Sequence, residues 1–196
     1  MKLKIDNVIL SMPRLFEASA FDANSDEKFS AHFIVSRGSP QEAQVKEAIV
    51  AEATTLWGAK VAPKLKAMAA AGKIWCLRDG DGKVDKQGNP YAGYEGAMYV
   101  SAKNTIRPLV IDGNRAPLVA ADGKLYAGCI VNAIIDVRVS DKPSDQAYAY
   151  LLGVQFVKDG TRMAGGSAAA ADDFEAIPEA AAAKAEATKE GAASLF

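Results

Sequence analysis

The sequence predicts an α+β fold that is mainly β, followed by an acidic tail, and three observations predict it. Apolar and polar residues alternate with a period of two through much of residues 1–166, the mark of half-buried strands. One pair of adjacent helical segments interrupts those strands, which separates the chain from a plain sandwich. At Gly165-Gly166 the composition breaks. The body before it carries 21 Lys+Arg against 18 Asp+Glu, and the 30 residues after it carry two lysines against six acids. The chain of 196 residues is therefore read as one domain, residues 1–166, with an appended segment, residues 167–196.

Each element follows from local pattern. Lys2 to Leu10 sets Leu3, Ile5 and Ile9 on one face and Lys2, Lys4 and Asp6 on the other, a strand. Met12 to Asp26 reads as a loop, with Pro13 and the turn-prone Asn24-Ser25-Asp26. Phe29 to Ser36 returns to strand, with Phe29, Ala31, Phe33 and Val35 in register. Ser39 caps a helix whose first residue is Pro40 and whose apolar stripe is Val45, Ala48, Ile49, Ala53 and Leu56; Trp57-Gly58 closes it. A second helix, separated near Pro63, spans Lys64 to Ala71 and stops at Gly72.

The remainder reads as largely β. Ile74 to Leu77 is a short strand and Asp79 to Tyr91 a long Gly/Asp/Asn/Pro loop. Tyr94 to Lys103 and Leu109 to Ile111 are strands, with turns at Asp112-Gly113-Asn114 and Asp122-Gly123. Tyr126 to Val139 is the most regular strand, and its row Cys129, Val131, Ala133, Ile135, Val137 is too apolar to face water. Tyr148 to Val157 forms a hairpin with it across Asp141–Gln146. The tail holds 13 alanines, Pro178 and no hydrophobic face, which predicts disorder.

Composition also excludes classes of function. Cys76 and Cys129 lie far apart with no CxxC, as expected of buried thiols in a reduced, cytoplasmic protein. The opening MKLKIDNVIL has no apolar core of a signal peptide, and no run is long enough for a membrane span. The only histidine, His32, sits mid-strand without a carboxylate or thiol at ligand spacing, and no GxxxxGK[ST], GxSxG or HExxH occurs. No cofactor or metal is expected. In the run Arg78 to Asp85, Asp79 and Asp81 suit a calcium loop, but Lys83, Val84 and Pro90 occupy positions that need a ligand, a glycine and a glutamate. A metal-dependent nuclease using Asp79, Asp81 and Asp85 is the enzymatic alternative; an acidic surface turn is the preferred reading.

The interleaving of basic and aromatic residues points elsewhere. If Met98, Val100 and Ala102 face the core, Tyr99 and Lys103 stand on the open face of their strand. The same alternation sets Tyr126, Asn132 and Arg138 opposite the apolar row, and Arg107 and Arg115 flank the Leu109–Ile111 strand. Flat rings beside cations suit single-stranded nucleic acid, because bases stack on rings and Lys/Arg neutralise phosphates without reading sequence.

These segments together resemble a family of bacteriophage single-stranded-DNA-binding proteins with an oligonucleotide/oligosaccharide-binding (OB) fold. The resemblance is carried by Val8-Ile9-Leu10-Ser11 through Leu15-Phe16, by Lys28 to Val35, and by Leu77-Arg78-Asp79-Gly80-Asp81 with Tyr94 downstream. It continues in Ser101-Ala102-Lys103 leading to Arg107-Pro108, in Tyr126 to Asn132, and in Ala171-Asp172-Asp173-Phe174. It implies a five-stranded barrel with inserted helices, sequence-independent binding of single strands, and a role in phage replication, recombination or repair. On the alternation of the strands, the expected contacts are Tyr99, Lys103, Arg107 and Tyr126, with Phe29, Arg78 and Tyr94 beside them. The tail, through Asp172, Asp173, Phe174 and Phe196, is expected to compete with DNA and engage replication proteins. A structural phage accessory protein is the second alternative, and weak duplex or RNA binding and a homodimer stay open.

Overall fold

A computed structural model of the chain describes residues 1–20, 22, 24–85 and 87–163, so the expectations placed on Asp172, Asp173, Phe174 and Phe196 lie outside the described residues. The strands are β1 (Lys2–Ser19), β2 (Lys28–Ser36), β3 (Leu77–Asp79), β4 (Ala97–Asn104), β5 (Leu109–Ile111), β6 (Ile130–Ser140) and β7 (Gln146–Lys158). Helices α1 (Pro40–Trp57) and α2 (Val61–Ala70) lie between β2 and β3. The strands form one sheet in the order β3-β4-β2-β1-β6-β7-β5, and every pair except the parallel β5–β7 is antiparallel.

The run from Lys73 to Asp79 joins the two ends of this sheet. On one side Trp75 N–H donates to the Ala147 carbonyl at 2.8 Å, and Ala147 N–H donates to the Lys73 carbonyl at 3.1 Å. On the other side Leu77–Asp79 pairs with β4, and Ser101 N–H donates to the Cys76 carbonyl at 3.1 Å. The Asn104 side-chain amide adds a bond to the Leu151 carbonyl at 3.1 Å. The long strands thus close as β1-β2-β4-β7-β6, the expected five-stranded OB-type barrel, with residues 73–79 as its seam and β5 as an added edge.

The barrel is filled by the rows that alternation foretells. Val131, Ala133, Ile135 and Val137 point inward from β6, as do Ala31, Phe33 and Val35 from β2, and all are buried, as is Cys129 just before β6. Both cysteines are buried and free. Helix α1 begins where Ser39 Oγ accepts the Glu42 N–H at 3.3 Å, while the Glu42 carboxylate accepts the Gly38 N–H at 2.6 Å and pairs with Lys46. Val45, Ala48, Ile49 and Ala53 are buried as expected, but Leu56 is exposed.

Several boundaries differ from the sequence expectation. The loop expected from Met12 is strand as far as Ser19. Asn7 and Met12 adopt positive φ (54° and 47°), and the register shifts between Ile5 and Val8 and between Ser11 and Arg14. These bulges bend one long strand around the barrel, and each resets the alternation that would have revealed it. Helix α2 starts at Val61, with Pro63 in its first turn, where a missing N–H costs nothing. The seam strand forms at Leu77–Asp79 instead of Ile74–Leu77. Neither segment before Ala97 and Ile130 is strand: Tyr94 lies in a turn and Tyr126 in irregular backbone before the Ala127-Gly128 turn.

Phe33 is fully buried at the centre of this core. Phe33→Ala is expected to destabilise the domain by about 3–5 kcal/mol, the usual cost of emptying a large buried site. Urea unfolding of the two proteins measures the difference.

Candidate nucleic-acid interface

The outer face of β2 and β4 is built from cross-strand neighbours. Lys103 lies opposite Ser30, Ser101 opposite His32, and Tyr99 opposite Ile34 on one side and Arg78 on the other. Tyr99 points away from Val100 as alternation requires, but it is buried, which corrects the expectation of an open ring. The cause is the segment 91–97, which folds over the sheet and lays Tyr91 and Tyr94 on it. Tyr94 and Tyr99 meet edge to face at 5.1 Å, His32 lies 4.8 Å from Tyr99, and Ile34, Ile9 and Met163 complete a small second core. Tyr94 is likewise buried and serves as a pillar beneath the surface.

Hydrogen bonds fix this cluster. The Tyr94 hydroxyl donates to Ser11 Oγ at 3.0 Å, which leaves its oxygen to accept from His32 Nδ1, 2.8 Å away. The proton on Nδ1 is that of a neutral imidazole. Burial first, then the nearby Lys83 and Arg78 cations, push His32 down to about 4. Burial also raises the Tyr94 phenol to about 12 and moves Tyr99 upward. The face therefore keeps its rings neutral and its positive charge on exposed Arg78 and Lys103 and half-buried Lys83.

The Asp79–Asp85 turn fastens the covering segment. Arg37 bonds Asp79 at 2.6 Å and Asp81 at 2.7 Å, and the Asp81 carboxylate also accepts the Gly96 N–H at 2.6 Å. The guanidinium beside Asp79 holds its carboxyl below the usual carboxylate range. Asp85 accepts backbone N–H groups from Gln87 and Asn89 at 2.8 and 2.9 Å. These contacts give each acid that the nuclease alternative would use a structural partner. Among the described residues no three His, Cys, Asp or Glu side chains gather as a metal-holding group. Gly80 is the closest approach in the turn, where an added Cβ would meet the Tyr94 carbonyl oxygen at 2.2 Å.

Two other expected contacts are engaged within the fold. Tyr126 donates to Asp159 at 2.8 Å, and the Arg162 guanidinium covers its ring at 4.0 Å, so it anchors residues 159–162 and does not join the β2–β4 face. Phe29 is half-buried at the start of β2, on the strand face that carries Ala31 and Phe33. Arg107 is exposed and lies 5.9 Å from the Phe16 ring.

Arg78 and Lys103 are exposed on the expected face, and the fold adds residues that sequence reasoning missed. Lys83 lies 5.5 Å from the Tyr91 ring, and Arg78 lies 5.4 Å from the Trp75 ring. Beyond them a groove of about 560 Å³ runs between the ends of β4 and β7, lined by Lys28, Lys103, Trp75, Tyr148 and Tyr150. Tyr148 and Tyr150 alternate with buried Ala147, Ala149 and Leu151, so their outward direction was legible in the sequence. Their meeting with Trp75 was not, because only the seam brings β4 and β7 together.

The geometry defines an OB-type barrel whose outer surface carries a stripe of cations and rings: Lys83 with Tyr91, Arg78 with Trp75, then Lys103 and Lys28. The family described as Enterobacter phage Enc34 ssDNA-binding protein matches residues 1–188, and the chain belongs to that family. Protein p50 of Acyrthosiphon pisum secondary endosymbiont phage 1 is 37% identical over 177 residues, covering 89% of this chain and 93% of that protein. The single-stranded DNA-binding protein from bacteriophage Enc34, solved in complex with ssDNA, superposes with a TM-score of 0.65 at 24% identity over 82% of this chain and 88% of that one. A C-terminal truncation of the same phage protein gives a TM-score of 0.61 at 25% identity over 83% and 88% of the two chains.

Two outcomes test the site's construction. Gly80→Ala is expected to lose about 1–3 kcal/mol through overpacking against the 94–97 backbone, read by denaturant titration. His32 has a folded pKa of about 4, below its unfolded value of 6.5. Its contribution to stability is complete above pH 6.5 and declines as pH falls towards 4, because the unfolded chain takes up the proton first. Thermal midpoints should therefore fall more steeply from pH 7 to 5 in the wild type than in His32→Gln.

Proposed function

We propose that this protein binds single-stranded DNA without sequence readout, coating it during phage genome replication, recombination or repair in the host cytoplasm. The observation that carries the reading is the stripe of cations and rings on the outer face of an OB-type barrel in a member of this family. Membership supports the ligand, and the stripe supports the mode, in which Lys and Arg take phosphates and bases lie on rings. Arg78 and Lys103 are the central phosphate contacts; their Cα atoms are spread over about four residues of strand, roughly 13 Å at 3.3 Å per residue. Lys83 and Lys28 extend the path at either end. Tyr94 and Tyr99 set the shape of the surface from below. No described helix is long and apolar enough to cross a membrane.

The segment 167–196 has a net charge of −4 and ends in Leu195-Phe196. In this reading it competes with DNA for the cationic stripe, and Asp172, Asp173, Phe174 and Phe196 offer a handle to replication proteins. Removing residues 167–196 is expected to raise affinity several-fold at low salt and to make no difference near 0.5 M, where exposed charges are screened. Fluorescence anisotropy with a labelled oligonucleotide reads both arms.

With only a handful of cations in the stripe, the slope of log K against log[salt] is expected at about −2 to −4, at roughly −0.7 per phosphate on a single strand. Arg78→Ala and Lys103→Ala should each flatten it by about one phosphate's worth. A slope near zero, or unaltered slopes in both variants, would refute the proposed contacts.

A further inference from the structure

The groove between β4 and β7 has a composition of its own. Trp75 is 43% exposed and Tyr150 41%, a high share for rings of this size. Tyr148 meets Tyr150 edge to face at 5.4 Å, which holds the two rings at 86° to each other and exposes a flat face. Trp75 forms part of the groove wall, and Arg78, which lies outside the groove, sits 5.4 Å from its ring. Lys28 and Lys103 line the same groove, and Asp26, the one acid among its described lining residues, lies 4.0 Å from Lys28.

Backbone bonds hold these rings in place. Trp75 N–H and Cys76 N–H both donate to the Ala147 carbonyl, at 2.8 and 3.3 Å, so the residue before Tyr148 is tied directly to the Trp75 main chain. The two walls are therefore positioned by the barrel seam, and little ordering is needed on binding. An open slot with aromatic walls and two ammonium groups at its edge suits an unstacked nucleobase whose flanking phosphates stay outside.

We infer that Trp75, with Tyr150 and Tyr148 across the groove, is the base-stacking station of this protein, and that Lys28 and Lys103 hold the phosphates on either side of the inserted base. The inference rests on the reading as a single-strand binder and assigns the stacking that Tyr99 and Tyr94, being buried, do not supply. An aromatic platform without hydrogen-bond readout accepts any base, because each presents a π face.

The test uses the full chain, a fluorescein-labelled homothymidine oligonucleotide and an abasic oligonucleotide of equal length. The chain holds two tryptophans, and Trp57, beneath Lys64 at the end of α1, is not among the residues that line the groove. Homothymidine should quench the wild-type tryptophan emission and leave that of Trp75→Phe unchanged. Trp75→Ala and Tyr150→Ala should each weaken anisotropy-measured binding to homothymidine by roughly 5- to 150-fold, the range for a lost base–ring stack. Trp75→Phe should lose less, and all three variants should bind the abasic strand as the wild type does. Thermal midpoints close to wild type would keep folding out of the comparison; if Trp75→Ala unfolds, the quench and the Trp75→Phe affinities decide. Undiminished homothymidine binding in Trp75→Ala, or an equal loss on both strands, would overturn the stacking station and leave single-strand binding standing. Absence of wild-type binding to either strand would sink both.

Discussion

Closure of the barrel at residues 73–79 is the constraint on which the rest of the structure depends. Neither β4 nor β7 reaches the other by a regular ladder, so a short irregular segment bonds Ala147 on one side and β4 on the other. That arrangement seals the core at Cys76 and Leu77, which are buried, and turns Trp75 and Arg78 outward. It also starts the Asp79–Asp81 turn, whose bonds to Arg37 and Gly96 hold the 91–97 segment across the sheet. The backbone groups that the seam pairs are not available to a strand of another chain, which suits a scaffold for a polymer-binding surface.

The sequence was informative wherever one periodicity ran unbroken. The inward row of β6, the Phe29–Val35 face of β2 and the Ser39-Pro40 helix start are all local, and the structure holds each of them. Legibility failed where tertiary structure supplies the cause. Met12 enters the left-handed region and carries the strand on past Pro13, so the phase of alternation changes at the very place where a strand would be read. Tyr99 points outward as its phase requires, yet two tyrosines from a loop cover it, and nothing in the Tyr94–Lys103 pattern announces a second layer. Trp75 and Tyr150 are far apart in sequence and become neighbours only through the seam.

Charge is distributed with the same economy. His32 is held neutral near Lys83 and Arg78, and the tyrosines beneath are held protonated, so the layer under the cationic face adds no charge that would offset the cations above it. The carboxylates of the 79–85 turn are occupied as well: Arg37 engages Asp79 and Asp81, and backbone N–H groups engage Asp85. Exposed pairs of this type add little stability. Their larger effect is to leave Arg78 and Lys83 with fewer competing anions.

The thiol of Cys76 gives the seam a chemical gauge. It adjoins Trp75, is fully buried, and burial pushes its pKa up to about 12. In the closed barrel it is therefore inert towards alkylating reagents, which attack thiolates. Each parting of the 73–79 segment from β4 and β7 would hydrate it and restore ordinary thiol reactivity, so its rate of modification reports how often the barrel breathes at this point. A strand of DNA lying across Trp75 and Arg78 would bridge that joint from outside. Occupancy there would then slow the modification, so a buried side chain would register events on the outer surface.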